Sequence, residues 1–327
     1  MPRRKPKTAG SRPQAVKQKL AGTKNRIIFI VGPTAVGKTE IAVKIAKKIK
    51  AEIISCDSMQ VYRGMDILSS MPSAKLRKQV KHHLVRFLKP DKDYNVARYR
   101  AQALRTIKEI RRKGKTPLFV GGTGHYMSIL IDGLFKGKPE NKGIRSRLYH
   151  LAHDKGSVYL HGRLKQVDPL AAARVHPHDT KRIVRAIEVY ETLGRPISKL
   201  QKERKGLGRE NDIRIFCLGM DRPRLYERIN RRVEMMLRQG LVSEVKKLLK
   251  KRLSKTATYA IGVPEIKGYL NGAYDLAQAK QFIQRNSRRL AKRQLTWFRK
   301  DKRIEWILFG PKDSAGALAE SIQKRLG

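Results

Sequence analysis

Residues 32–39 read Gly32-Pro33-Thr34-Ala35-Val36-Gly37-Lys38-Thr39. Two glycines at that separation, followed by a lysine and a hydroxyl, let successive backbone N–H groups turn inward around phosphate oxygens. Lys38 adds a mobile positive charge, and the Thr39 hydroxyl is placed to ligate Mg²⁺. A helix starting here also points its positive dipole end at the anion. The chemistry expected is the binding of a di- or triphosphate. Kinases, ATPases and GTPases share such a loop, so what is done to the phosphate stays open.

Asp57 lies 19 residues beyond Lys38. A carboxylate facing the phosphates can accept a proton from an approaching nucleophile; alternatively it caps the turn at Ser58. The segment Val120-Gly-Gly-Thr123 lacks the carboxylate that many P-loop NTPases place at a strand end to hold metal and water. That argues against a motor or switch ATPase and leaves a small-molecule kinase open.

The elements that must position these groups are legible in the pattern. Arg26-Ile-Ile-Phe-Ile-Val31 predicts a strand, and Lys38 to about Lys50 a helix with Ile41, Ile45 and Ile49 on one face. Glu52 to Cys56 predicts a second strand ending at Asp57, Tyr99 to Lys113 a helix closed by Gly114, and Lys115 to Val120 a third strand entering Gly121-Gly-Thr-Gly124. Strands alternating with helices imply a parallel sheet with ligands outside its carboxyl ends. The fold class expected is α/β, a P-loop NTPase-like parallel sheet flanked by helices.

Residues 136–212 show no strand signal; helical segments at 166–174 and 179–193 lie between Gly/Pro-rich joints, which predicts an all-helical insertion. Strand character returns at Ile213–Leu218, followed by a long helix from about Pro223 to Lys251 and a last strand at Glu305–Phe309. The expected organisation is a basic disordered arm at 1–25, a core in two parts at 26–135 and 213–327, and the insertion between them.

Composition narrows the partner. Lys plus Arg number 75 against 27 Asp plus Glu, a net charge of +48. Charge on that scale favours a polyanion through steering and counterion release, and a small metabolite does not require it. Arg285, Arg288, Arg289, Lys292, Arg293, Arg299, Lys300, Lys302 and Arg303 surround Trp297 and Phe298. Cations for phosphate and flat rings for unstacked bases are the recurring parts of single-stranded RNA recognition; core rings beneath a solvated basic face are the alternative. No apolar run approaches the ~20 residues of a membrane span, and the N-terminus has no secretory signal, so a cytoplasmic location is expected. Cys56 and Cys217 are expected to be buried, inert thiols. His176 and His178 lack the further ligands of a zinc site.

Taken together, Gly32–Thr39, the run Asp57-Ser-Met-Gln-Val-Tyr-Arg-Gly-Met-Asp-Ile67, Leu118–Gly124, Asp179–Tyr190 and Ala291-Lys-Arg-Gln-Leu-Thr-Trp-Phe-Arg299 resemble one family. The chain is similar to bacterial-type tRNA dimethylallyltransferases, also called tRNA isopentenyltransferases, over about residues 26–310. The resemblance implies transfer of a dimethylallyl group from dimethylallyl diphosphate to the exocyclic amine of the adenosine 3′ of the anticodon, with release of pyrophosphate. The loop at Gly32–Thr39, with Mg²⁺ on Thr39, would then hold a leaving group. Positive charge counts most there as the allylic C–O bond breaks.

By the same resemblance Asp57 is the general base, Lys38 and Thr123 act at the reacting centre, and Arg222 meets the diphosphate. Contacts to tRNA are implied for Asp57, Ser58, Met59, Gln60, Thr123, Arg145, Lys181, Arg182, Arg185, Lys292, Arg293, Gln294, Trp297 and Arg299. The partners implied are the tRNA anticodon stem-loop and dimethylallyl diphosphate, acting on a monomer. The chain departs from the family pattern at Arg86, where an acid is usual, at Leu68-Ser-Ser-Met71, and at Gly262-Val-Pro264. An isopentenyltransferase acting on free adenine nucleotides would keep the loop, Asp57 and Thr123 but has little use for the basic stretch at 285–303. A non-catalytic RNA-binding protein is a further alternative.

Overall fold

A computed structural model describes residues 25–137 and 140–326. The basic arm expected at 1–25 lies, but for Asn25, outside the described residues. The chain forms two compact units, one up to Leu130 and from Glu210 onward, the other spanning Ile131–Arg209.

The larger unit is built on six parallel strands: β1 (Arg26–Val31), β2 (Ala51–Ser55), β3 (His82–His83), β4 (Thr116–Gly121), β5 (Asp212–Gly219) and β6 (Ile304–Leu308), in the order β3-β2-β4-β1-β5-β6. β1 lies between β4 and β5, with Ile30 opposite Val120 on one side and Phe216 on the other. Ile27 to Val31 are all buried, as expected of a strand covered on both faces. Phe29 stacks on Phe119 with ring centroids 4.7 Å apart.

Helix α1 (Lys38–Lys48) starts on Gly37, which has φ +97°, and buries Ile41, Ala42, Val43, Ile45 and Ala46. That face shares a core with Leu318, Ala319 and Ile322 of the last helix. The remaining helices of this unit are α2 (Ala74–Gln79), α3 (Val96–Arg112), α4 (Gly124–Ile131), α9 (Arg222–Arg238), α10 (Leu241–Leu249), α11 (Lys255–Thr258), α12 (Val263–Leu270), α13 (Leu276–Arg299) and α14 (Ala315–Arg325).

Two readings change here. The long helix expected from Pro223 to Lys251 is two helices, because Gly240 adopts φ +96° and breaks the hydrogen-bond ladder. Strand β3 had no signal: it is two polar histidines, paired alongside Ile53 and Ile54.

The smaller unit is helical: α5 (Lys142–Val167), α6 (Pro169–Ala172), α7 (Thr180–Leu193) and α8 (Ile197–Lys202). Residues 142–165 were not read as a helix. Gly156 interrupts its conformation (φ 82°, ψ 158°), so the apolar positions before and after it do not share one stripe. Buried Asp168 ties the unit together, accepting N–H groups from Ala171 (3.0 Å) and Ser198 (2.9 Å). Glu188, fully buried, accepts from the Asn141 N–H (3.1 Å), Arg145 (2.9 Å) and Arg185 (2.8 Å). Burial alone would raise its pKa; the two guanidiniums overcome that and hold it below the ordinary value.

Glu52 on β2 makes a similar arrangement in the core unit. Its carboxylate meets Lys115 (2.9 Å), His83 (2.7 Å) and Lys113 (3.5 Å) while only 3% exposed. Burial pushes the pKa up, yet hydrogen bonds from Lys115 and His83 bring it down from 4.5 to about 2. A carboxylate depressed by folding stabilises fully above its unfolded value and loses that contribution as pH falls toward the folded one. Glu52→Gln is therefore expected to flatten the stability–pH curve between pH 4.5 and about 2, and to cost roughly 3 kcal/mol at neutral pH. Denaturant titrations of both proteins across that window check it.

Candidate active site

The loop at 32–39 runs from the carboxyl end of β1 to the start of α1. Gly32 has φ +144°, and a Cβ there would fall 2.7 Å from the Leu218 carbonyl oxygen, so β5 leaves no room for a side chain. Lys38 folds back over the loop, its Nζ donating to the carbonyls of Gly32 (2.9 Å) and Pro33 (2.7 Å). Burial pushes its pKa down to about 8; Asp57 opposes the shift and Arg232 adds to it.

The ends of β2 and β4 touch. Cys56 N–H donates to the Val120 carbonyl (2.8 Å), and Thr123 N–H donates to the Cys56 carbonyl (3.1 Å). A Cβ on Gly121 would lie 2.0 Å from that same Cys56 oxygen, which is why glycine stands there. The contact brings Asp57 and Thr123 side by side. The Ser58 N–H donates to Thr123 Oγ1 (3.2 Å), and the Met59 N–H to Asp57 Oδ1 (2.8 Å). Asp57 thus does close its local turn, and it also faces the cavity. The Cys56 and Cys217 thiols are buried and free, with burial raising both to about 12.

Helix α13 supplies the third wall. The Thr34 N–H donates to Gln294 Oε1 (2.8 Å), and Gln294 Nε2 donates to the Gly122 carbonyl (3.0 Å). One side-chain amide thereby links the phosphate loop to the turn that carries Thr123. Trp297, one turn further on, packs its ring against Gly124 and meets His125 edge-on at 6.0 Å, leaving 40% of its surface exposed. Phe298, its neighbour, is fully buried core.

These segments enclose a cavity of about 1000 Å³ lined by the loop, Asp57–Gln60, Thr123, Arg293 and Gln294, at the upper end of ordinary ligand pockets. Leu76, Met235, Met236, Ile283 and Leu290 give it an apolar part. Loop 66–71 borders it, held by Glu244 of α10, whose carboxylate accepts N–H groups from Ile67 and Leu68 (both 2.9 Å). Arg86, at the position where the sequence departs from the family pattern, pairs with Asp66 at 3.1 Å.

Arg222 is not brought to the phosphate loop. Its guanidinium lies over Tyr226 (5.1 Å) and donates to that hydroxyl (3.0 Å), and it does not line the cavity. Six residues along a helix at about 100° each leave it on another face from Arg228. Arg228 and Arg232 reach the loop instead, donating to the Ala35 carbonyl (3.0 Å) and to Thr34 Oγ1 (2.7 Å). Sequence reasoning missed both. They share a face at i, i+4, but the surrounding helix carries several other arginines and nothing local marks these two.

Lys292 and Arg299 are exposed on α13. Arg145, Lys181, Arg182 and Arg185 belong to the helical unit, where Glu188 braces Arg145 and Arg185, and Asp179 meets Arg182 at 3.2 Å. Among the described residues no three His, Cys, Asp or Glu side chains gather as a metal site. A Mg²⁺ ion bound through the Thr39 hydroxyl fits the donor set nonetheless, because Mg²⁺ commonly takes one or two protein ligands and completes its shell with phosphate oxygens and water.

Comparison with known proteins places the chain in one family. Family models described as IPP transferase and isopentenyl transferase match residues 60–301 and 25–86. A tRNA dimethylallyltransferase of Geobacter sulfurreducens is 46% identical over 289 residues, covering 88% of this chain and 93% of its own. One from Thermotoga maritima is 43% identical over 303 residues, covering 91% and 97%. The solved tRNA isopentenylpyrophosphate transferase of Bacillus halodurans superposes with a TM-score of 0.68 at 36% identity, covering 92% of this chain and 97% of its own. A eukaryotic dimethylallyltransferase solved acting on tRNA gives 0.76 at 25% identity, covering 92% and 78%.

Binding of inorganic pyrophosphate is expected to require Lys38 in its charged form. Above pH 8 the empty loop must take up a proton to bind, so affinity is expected to fall by up to about tenfold per pH unit. Lys38→Met should bind weakly and lose that part of the slope; calorimetric titration of both proteins from pH 7 to pH 10 checks it.

Proposed function

The chain belongs to the IPP transferase family and is an enzyme that transfers a dimethylallyl group from dimethylallyl diphosphate to tRNA with release of pyrophosphate; from that premise we propose how its residues divide the work and where on the tRNA they act. The observation that carries the proposal is the convergence of Asp57, Thr123 and Lys38 on one cavity with the phosphate loop.

The acceptor is the exocyclic amine of the adenosine 3′ of the anticodon. An adenine amine is a poor nucleophile, its lone pair delocalised into the ring, so a carboxylate that takes its proton as the N–C bond forms has a clear task. Asp57 fills that role. Thr123 already accepts the Ser58 N–H, and its own hydroxyl proton is left to orient the base. The diphosphate lies on Gly32–Thr39 at the start of α1, where backbone N–H groups and the helix dipole favour an anion.

As the allylic C–O bond breaks, negative charge builds on the departing pyrophosphate, and Lys38, Arg228 and Arg232 surround it with cations. Mg²⁺ on the Thr39 hydroxyl would add a further positive charge against the diphosphate when bound. The apolar wall of Met235, Met236 and Ile283 suits the five-carbon chain.

Reaching an adenine in a stacked loop requires extruding it, at a cost of about a few kcal/mol. The exposed cations of α13, with exposed Lys181 and Arg182 and half-buried Arg145 and Arg185 of the helical unit, hold the RNA backbone while that cost is met. We assign the enzyme to the cytoplasm, where tRNA is found, and to a monomeric state, expected at about the 37.4 kDa of one chain in solution. Among the described residues no helix is long and apolar enough to cross a membrane.

Expression in cells lacking their own enzyme, followed by mass spectrometry of tRNA nucleosides, is expected to show dimethylallyl-adenosine next to the anticodon. Soluble protein without that nucleoside would sink the proposal. Asp57→Asn is expected to lower kcat by roughly 10²- to 10⁴-fold with little change in tRNA affinity. A wild-type rate in that variant would remove Asp57 from the mechanism. Affinity for tRNA should fall linearly in log–log salt plots with a slope set by the phosphates neutralised; a flat line would refute the basic surface's role.

A further inference from the structure

A second groove, of about 550 Å³, is formed by α11, α12 and the segment after α10; Leu253, Thr258, Val263, Pro264 and Lys267 line it. Tyr259 lines both this groove and the reaction cavity, and its side chain is the most open of the aromatics on the surface, at 72% exposure. We propose that Tyr259 is a stacking platform for a tRNA nucleobase adjacent to the adenosine that enters the cavity. The inference rests on the tRNA reading of that cavity and extends it to a residue that the reading left unused.

Three observations carry it. First, extruding one base from a stack strips its neighbour of a stacking partner, and a ring at the cavity's rim can replace it. Tyr259 is on that rim.

Second, the backbone beneath the ring is fixed although the ring is open. Ser254 caps α11 through the Ala257 N–H (3.2 Å), donates its own N–H to the Pro90 carbonyl (2.8 Å), and touches the Tyr62 hydroxyl (3.2 Å). Gly262, just beyond, is held by Glu265 (2.6 Å). A platform that does not need ordering loses less free energy when a base binds.

Third, the surroundings are basic and suit a nucleic acid. Lys251 and Lys267 line the groove and are exposed, as are Lys250, Arg252 and Lys255, which neighbour its lining residues in sequence. The carboxylates between residues 244 and 270 are Glu244 and Glu265, and both are engaged by N–H donors of the protein. A solitary exposed tyrosine is ordinary on a protein surface. One that is braced, joined to the reaction cavity and ringed by lysines with free charge has a polyanion with flat bases as its matching occupant.

The test uses the full-length enzyme and an anticodon stem-loop RNA carrying 2-aminopurine at the nucleotide on either side of the target adenosine. Wild type is expected to quench the fluorophore at one of these positions. Tyr259→Ala should lose the quenching and raise KM for the RNA about tenfold, a change typical of losing one base–aromatic stack, with KM for dimethylallyl diphosphate unchanged. Tyr259→Phe, which keeps the ring, should behave as wild type. Wild-type quenching and KM in Tyr259→Ala would overturn the inference, and so would equal loss in the Ala and Phe variants. Failure of the wild-type enzyme to prenylate the RNA at all would overturn the underlying tRNA reading, a result distinguishable from either.

Discussion

The side-chain amide of Gln294 holds the site together. Its oxygen accepts from the Thr34 N–H of the phosphate loop, and its nitrogen donates to the Gly122 carbonyl of the turn that carries Thr123. A Cβ on Gly122 would lie 2.2 Å from that nitrogen, so the approach is possible only with glycine at 122. One residue from the far end of the chain thereby ties the phosphate loop to the turn that carries Thr123 and helps to fix their separation. For a reaction whose rate depends on holding donor carbon and acceptor nitrogen in line, that separation matters more than any individual contact. Gln294, expected to touch tRNA, lines the cavity and has its amide engaged at both ends within the protein.

The glycines do related work by absence. Gly121 lets the ends of β2 and β4 meet, which puts Asp57 next to Thr123, and Gly32 lets β5 close behind the phosphate loop. In each case the catalytic geometry depends on backbone coming closer to backbone than any side chain would permit. The parallel sheet makes this economical, because all its strands end on one side and their loops converge there.

The large positive charge is divided among three kinds of position. Some cations are structural: Lys113 and Lys115 neutralise buried Glu52, and Arg145 and Arg185 neutralise buried Glu188. Removing such a partner leaves a buried charge, a costlier loss than breaking an exposed pair. Others, such as Lys292, Arg299 and the lysines around Tyr259, are exposed and available to phosphates. Arg228 and Arg232 stand between these groups, tied to the loop and lining the cavity. Counting charge in the sequence could not separate the three roles.

Much was legible before the fold. The glycine–lysine loop, the strand-end position of Asp57 and the Gly121–Gly124 turn are local patterns, and local sterics and periodicity decide them; the α/β class and the family follow from the same runs of residues. Where the pattern was weak, the reading was weak. The two-histidine strand β3 carries no alternation, Gly156 splits the apolar positions of α5 between two stripes, and Gly240 breaks a helix that composition alone would run through. What no local pattern could show are the contacts between positions distant in sequence: Arg232 to Thr34 across 198 residues, Gln294 to Thr34 across 260, and the exclusion of Arg222 by helical phase. Local pattern was enough to mark a phosphate-binding loop and to single out Asp57 and Thr123 as candidate reacting groups. Which arginines reach the loop, and which residue ties the loop to the Thr123 turn, came only with the fold, because those contacts depend on which faces of α9 and α13 pack against the sheet.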